Sequence, residues 1–263
     1  MKRTLLKTKT LSLALVAGAL IFAGTYAADG EAKAEGPKAS IVKGQVEVGT
    51  SKDGPWKRLK RNRRVQPGNF VKTGSGAKAE LKYGDGSVIR VASNSILHLE
   101  QAGFAAKSSE VQVKSNLVAG KAWAKVSKMV GSEARFEVKT ENAVAGVRGT
   151  VFRVNVEEDA ATVVKVYEGA VAVSNSPFFN AAKKKTMKKA PVDFKGRKEI
   201  DPTTLFQEVS KKKWEQLVGQ MMQVRVRADG SMDKAESFTA EADVAGDKDW
   251  VAWNQGCDQG KCE

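Results

Sequence analysis

Apolar and polar residues alternate through much of the chain's first 175 positions. Phe136 and Val138 fall on one side with Glu137 and Lys139 on the other, and Phe152, Val154 and Val156 repeat the pattern against Arg153 and Asn155, as half-buried strands require. Upstream, Ala79, Leu81 and Tyr83 alternate with Glu80 and Lys82, Gly84-Asp85-Gly86 turns the chain, and Ile89 and Val91 resume the apolar face, which predicts a hairpin between Ala77 and Leu99. Structure is expected to begin near Ile41, with a strand over Gly44 to Val48 and a turn at Lys52-Asp53-Gly54-Pro55 leading to Trp56 and Leu59. Gly-led strands recur at Gly120–Ala124 and Gly169–Val173. Their spacings are unequal, so this is no regular solenoid repeat, and Trp56 and Trp123 read as core residues. Gly146 and Gly149 bracket Arg148 between two strand runs, where positive φ is expected, while Asp159 and Glu168-Gly169 mark further turns. Arg148 either bonds nearby carbonyls or faces a ligand, and the structural role is the expected one.

Beyond residue 174 the strand pattern breaks. Pro177 and Pro191 interrupt residues 176–200, which read as a basic linker. Asp201-Pro202 resembles an N-cap followed by a first-turn proline and predicts a helix to about Gly219, with Leu205, Phe206, Val209, Leu217 and Val218 buried. A short hairpin is expected from Val224–Val226, the Asp229-Gly230 turn and the run Ala235 to Val244. Trp250 and Trp253 either pack back on that helix or present an aromatic surface to a sugar or a partner. Cys257 and Cys262 have no second pair to complete a metal site, so a small disulfide loop is the better reading in an exported chain.

Several motifs resemble the FecR domain, named for the periplasmic sensor of ferric dicitrate uptake. They are Pro67-Gly68-Asn69, Thr73-Gly74, Ala79-Glu80-Leu81, Tyr83-Gly84-Asp85-Gly86-Ser87, Asn94 and Leu97. They continue with Thr140, Gly146-Val147-Arg148-Gly149-Thr150, Phe152 and Val166-Tyr167-Glu168-Gly169-Ala170-Val171. The resemblance covers about Ala39 to Ser174. It implies an all-β domain of short stacked strands, sandwich- or solenoid-like, over residues 39–175; residues 201–263, which carry no such resemblance, are expected to add a small C-terminal α+β appendage to this mainly β chain. Gly146, Arg148, Gly149, Thr150, Phe152 and Gly169 are then expected to maintain the fold. Family members serve periplasmic signalling or act as envelope modules. The iron-sensor members place an anti-sigma segment and a membrane helix before this domain, whereas here a signal peptide and a leader stand there. That departure argues against direct control of a sigma factor and against contact with a TonB-dependent receptor.

Charge sharpens the picture. The 263 residues carry a formal +14, enough length for one large or two small domains. Lys2, Arg3, Lys7 and Lys9 precede an apolar run from Leu11 to Ala23 and then Thr25-Tyr26-Ala27, the parts of a secretory signal peptide over residues 1–27. The run is too short for a comfortable membrane span. Cleavage near Ala27 leaves a flexible leader over residues 28–38 and a periplasmic or secreted protein. Two segments account for the remaining basic excess. One is Lys57, Arg58, Lys60, Arg61, Arg63 and Arg64; the other includes Lys183, Lys184, Lys185, Lys188 and Lys189. Such concentration points to an anionic envelope polymer, a lipid head group or an envelope protein, and export argues against nucleic acid. The competing reading is a solvated loop and a basic linker that bind nothing in particular.

No nucleophile elbow, zinc-binding helix or P-loop is present, and Gly74-Ser75-Gly76 and Gly84-Asp85-Gly86 read as turns. His98, the sole histidine, stands on the strand face opposite Leu97 and Leu99 and makes a poor metal site. The chain is therefore expected to be no enzyme and to need no cofactor. The sequence supports an exported binding or scaffold protein of the cell envelope, or alternatively a periplasmic signal-relay or sensor subunit acting with a separate membrane partner.

Overall fold

The computed structural model describes residues 36–104, 111–127, 135–147, 149–175 and 215–262. In chain order its strands are β1 (Lys38–Lys43), β2 (Val46–Gly49), β3 (Lys57–Arg58), β4 (Phe70–Thr73), β5 (Lys78–Lys82), β6 (Val88–Val91), β7 (Ile96–Phe104) and β8 (Val111–Lys125). They continue with β9 (Arg135–Lys139), β10 (Ala143–Val147), β11 (Val151–Val156), β12 (Thr162–Glu168), β13 (Val171–Asn175), β14 (Glu215–Val218), β15 (Met222–Val226) and β16 (Glu236–Ser237). Two helices follow, α1 (Ala240–Gly246) and α2 (Lys248–Asp258).

These strands make two sheets that share β8. Sheet A runs β1-β5-β6-β8-β11-β12-β15-β16. Sheet B runs β3-β2-β4-β7-β8-β9-β10-β13-β14, and its β8–β9 pair is the one parallel pairing among the described strands. The first half of β8 pairs in sheet B and the second half in sheet A, so the strand must bend. It does so at Gly120, whose φ is +83° and where a Cβ would lie 2.1 Å from Ser95 Oγ. The bend also reverses which side chains face inward: Val113 and Leu117 are buried before it, Ala122 and Ala124 after it. Strands that switch sheets at such bends are how two layers are joined at a corner. Gly120 thus lies in the middle of a strand, not at its start.

The core lies between the two sheets. Leu81, Ile89, Phe152, Val154 and Val164 of sheet A pack with Val71, Leu97, Leu99, Phe136 and Val173 of sheet B in one contiguous apolar cluster. The period-2 pattern is therefore expressed as a sandwich, mainly β. Phe152 is fully buried, as its alternation requires, and Gly149 and Gly169 take positive φ of +62° and +82°.

Other expectations are corrected. Gly146 is not at a corner: it sits inside β10, flanked by β9 and β13, opposite Ala172 and Glu137. The helix expected from Asp201 falls outside the described residues up to 214, and its last turn, Glu215–Val218, is instead strand β14. Successive strand residues face opposite sides, so Val218 is buried while Leu217 is 72% exposed; both could not enter one core. The hairpin after Val224 is confined to β15 and β16, because Thr239 caps a helix through the Ala242 N–H, 3.2 Å away, and the chain turns helical from Ala240. Gly36 and Pro37, assigned to the leader, are buried, and Pro37 O accepts from Val65 N at 2.9 Å. Residues 215–262 contribute strands to both sheets. The signal segment and the basic linker lie outside the described residues.

Candidate functional site

One cross-strand row organises the outer face of sheet A. Glu80 stands opposite Arg90, Arg90 opposite Trp123, Trp123 opposite Arg153, Arg153 opposite Lys165, Lys165 opposite Gln223 and Gln223 opposite Glu236. Alternation predicts that such polar positions face water. Glu80, Arg90, Trp123 and Arg153 do not, because α1 and α2 lie across them, whereas Glu236 at the far end of the row is exposed. Helix α2 inserts Trp250 and Val251 against Ala92, Trp123 and Val151, and Trp123 stacks on Tyr167 with ring centroids 4.2 Å apart. Trp250 and Trp253 thus pack on a sheet, not on the expected helix, with Trp253 half-exposed beneath the Lys78 ammonium. Cys257, on α2, is joined to Cys262 as a disulfide.

Covering charges with helices requires counter-charges. Arg90 is nearly fully buried; its Nε donates to Glu80 Oε2 and its Nη1 to Asp258 Oδ1, both at 2.7 Å. Trp123 Nε1 donates to the other Asp258 oxygen at 3.1 Å. Under α1, Asp243 accepts from Arg153 Nη2 at 2.6 Å, from Lys165 Nζ at 2.7 Å and from the Tyr167 hydroxyl. Lys121 pairs with Asp247. Burial raises the Asp243 pKa, but hydrogen bonds from Lys165 and Tyr167 and the charge of Arg153 outweigh it and hold the carboxyl below its ordinary value. Burial pushes the Tyr167 phenol well above its usual range. Arg153, Lys165, Gln223 and Glu236 of the row help line a cavity of about 550 Å³ between sheet A and α1.

Sequence reasoning missed this arrangement. Its signal was the series Asp243, Asp247, Trp250 or Val251, Asn254 and Asp258, whose three- and four-residue steps put acids and apolar groups on one helical face.

The basic segment occupies a different place. Lys57 and Arg58 form edge strand β3, and the loop after them crosses to β1, the edge of sheet A. There Asn62 N donates to Ala39 O at 2.7 Å, Ala39 N to Arg63 O at 2.9 Å, and Arg61 Nε to Ser40 O at 2.9 Å. Leu59 and Val65 are buried and pin the loop, while Lys57, Arg58, Lys60, Arg61, Arg63 and Arg64 are all exposed. Lys183, Lys184, Lys185, Lys188, Lys189 and Arg148 lie outside the described residues. Thr150 is buried beside the Gly149 turn, and its methyl would meet a Cβ at Gly169 at 2.8 Å, which explains the small residue there. His98 is half-buried within β7 and stacks on Phe70 at 4.0 Å; burial lowers its pKa, against the opposing influence of Glu100. Among the described residues no group of three His, Cys, Asp or Glu side chains is placed to hold a metal, and no helix is long and apolar enough to cross a membrane.

A two-sheet sandwich with a switching strand and a helical cap defines a mainly β module. Residues 69–172 match the family model described as FecR protein, so the chain is a FecR domain-containing protein. The match runs from the residue before β4 into β13. Two crystal structures of a protein described as an anti-sigma factor from Parabacteroides distasonis ATCC 8503 are similar to it. They are 17% and 16% identical, each with a TM-score of 0.43, and the likeness covers 67% of this chain and 63% and 62% of theirs. The chain thus spans less than two thirds of the length of those proteins. No curated protein matches it.

Proposed function

We propose that this chain is an exported, non-enzymatic binding or scaffold protein of the cell envelope, and that its loop 57–64 grips an anionic envelope polymer. One observation carries the reading: six cationic side chains, with no acid among them, are all exposed on the segment 57–64, which β3 pairing and buried Leu59 and Val65 hold in place. A pinned loop loses little conformational freedom on binding, and closely spaced cations act on a polyanion together. The linker lysines, Lys183 to Lys189, would add to the same attraction. Periplasmic or secreted localisation belongs to the proposal too, and mass spectrometry of the exported protein is expected to find its N-terminus at Ala28.

Retention on anionic envelope material at low and high salt tests it. Surface attraction is screened over about 8 Å at physiological ionic strength, so retention is expected to fall steeply as salt rises. Replacing Lys57, Arg58, Lys60, Arg61, Arg63 and Arg64 with Gln is expected to abolish retention while circular dichroism shows the protein still folded. Retention that ignores both salt and the six substitutions overturns the proposal. If a membrane protein is then captured instead, the signal-relay reading, which rests on the FecR domain, takes its place.

A further inference from the structure

The charged groups around the cavity beneath α1 are engaged with one another: Lys165 bonds Asp243, Lys121 bonds Asp247, and Arg225 bonds Asp159. A second hollow, an open groove of about 480 Å³, lies between the C-terminal part of α2 and strands β8, β11 and β12, and its rim is different. Glu168, Gln255 and Gln259 line it, and among the described residues none of the three has a side-chain hydrogen bond or an ion pair. Glu168 and Gln259 are exposed and Gln255 is half-buried, so these groups are within reach of a ligand. Lys125, also exposed, gives one hydrogen bond, to Asp258 O at 2.9 Å, whereas an ammonium has three to give. Asp258 has nothing left to offer: its two carboxylate oxygens accept from Arg90 and from Trp123.

Strand register fixes the spacing of the two free charges. Lys125 stands opposite Val151 and Val151 opposite Glu168, so the cation and the acid flank β11 with their backbones about 10 Å apart. Between them the floor is apolar, Val151 with Tyr167 beside it. Tyr167 already stacks on Trp123 at 4.2 Å and meets Phe238 at 5.5 Å, so its ring is no platform for a sugar. The opposite rim is α2, on which Gln255 and Gln259, four residues apart, share one face. Each carries a donor and an acceptor, the complement of a peptide unit. That rim is held in place by the Arg90–Asp258 pair and the Cys257–Cys262 disulfide. A matching ligand carries an ammonium for Glu168, a carboxylate for Lys125, amides for the glutamines and a small apolar side chain for Val151. A chain advances by at most about 3.3–3.6 Å per residue, so the free termini of a di- or tripeptide lie about 7–10 Å apart, whereas a single amino acid is too short to reach both charges. A volume of 480 Å³ falls within the range of small-molecule sites. We propose that this groove binds a peptide of two or three residues by its free termini, the ammonium at Glu168 and the carboxylate at Lys125. The site is separate from the basic loop and stands whether or not that loop binds a polyanion.

The test is isothermal calorimetry of the whole chain with the peptides Ala-Val and Ala-Ala-Val, with the same peptides N-acetylated, C-amidated or both, and with valine alone. Saturable binding of at least one free peptide is expected, and valine is expected not to bind. Acetylation and amidation each remove one terminal charge and are each expected to weaken binding about fivefold, the scale of a partly exposed ion pair. Glu168→Gln is expected to weaken the free peptide about fivefold and to abolish the further effect of N-acetylation, and Lys125→Gln to do the same for C-amidation. The comparison of free and blocked peptides is made in the unsubstituted protein, so the test holds even if a variant fails to fold. No saturable binding of either free peptide, doubly blocked peptides that bind as tightly as free ones, valine that binds as tightly as Ala-Val, or N-acetylation that still weakens binding to folded Glu168→Gln each overturns the proposal.

Discussion

At the residue scale the glycines separate into those the backbone demands and those it tolerates. Gly120 and Gly149 both have positive φ, and at Gly120 the space is already taken by Ser95. Gly149→Val is expected to cost about 1–3 kcal/mol through backbone strain, and Gly120→Ala to cost more, because a clash is added to the strain. At Gly146 a Cβ would meet its nearest neighbour, Ala172 O, at 3.9 Å, so Gly146→Ala is expected to change stability by less than about 0.5 kcal/mol. Urea melts of the three variants check this order. Gly149 and Phe152 were legible because a turn between alternating runs and a fully apolar stripe each leave a local mark. Gly146 was misread because a glycine inside a strand looks, in sequence, like a glycine at its end. Asn142 left no mark at all. Its Nδ2 reaches the carbonyls of Ala160, Val226 and Arg227 at 3.1, 3.0 and 2.8 Å, tying the β9–β10 turn to sheet A. A contact some 84 residues away in sequence cannot be seen in a local pattern.

At the element scale the decisive feature is the helix pair that covers the polar face of sheet A. Period-2 alternation tells which residues share a face but not what lies on that face, so Arg90, Arg153 and Lys165 read as solvent-facing although helices bury them. The seal depends on Asp243. With its pKa held below the ordinary 3.8, the carboxylate contributes stability that is complete above that value and lost as pH falls through the lowered one. Helices α1 and α2 are therefore expected to undock at pH below 3.8, seen as a change in fluorescence of Trp123, Trp250 and Trp253 before far-UV circular dichroism reports loss of the sheets. Asp243→Asn tests the same contact at neutral pH. It leaves Lys165 without its counter-charge and Arg153 with only the longer 3.8 Å pairing to Asp247, and breaking a buried pair in this way is expected to cost about 3–5 kcal/mol. An Asp243→Asn protein that melts like the parent would show that Trp250, Val251 and the Asp247 and Asp258 contacts hold the helices without it.

For the sandwich and its cap together, the question is whether the two candidate sites act independently. The basic loop closes the edge where β3 and β1 end the two sheets, and lysine and arginine on an exposed edge also discourage strands from pairing with other chains. The groove opens over β8, β11 and β12. Between β1 and β11 lie β5, β6 and β8, so the loop and the groove floor at Val151 are about 19 Å apart across the sheet. Perturbations at that separation with no shared partner add to within about 0.5 kcal/mol. A chain ending at Phe238 loses both helices but keeps every residue of the core between the sheets. Its arginines return to water, so no charge is left buried and unpaired. It is expected to stay folded with a lower melting temperature and to retain salt-dependent capture by anionic polymer. Combining the truncation with the six Gln substitutions is expected to lower stability by the sum of the separate effects. A truncated chain that folds yet no longer binds polymer would show that the helical cap and the basic edge form one site, and the division of labour drawn from the strand order would be wrong.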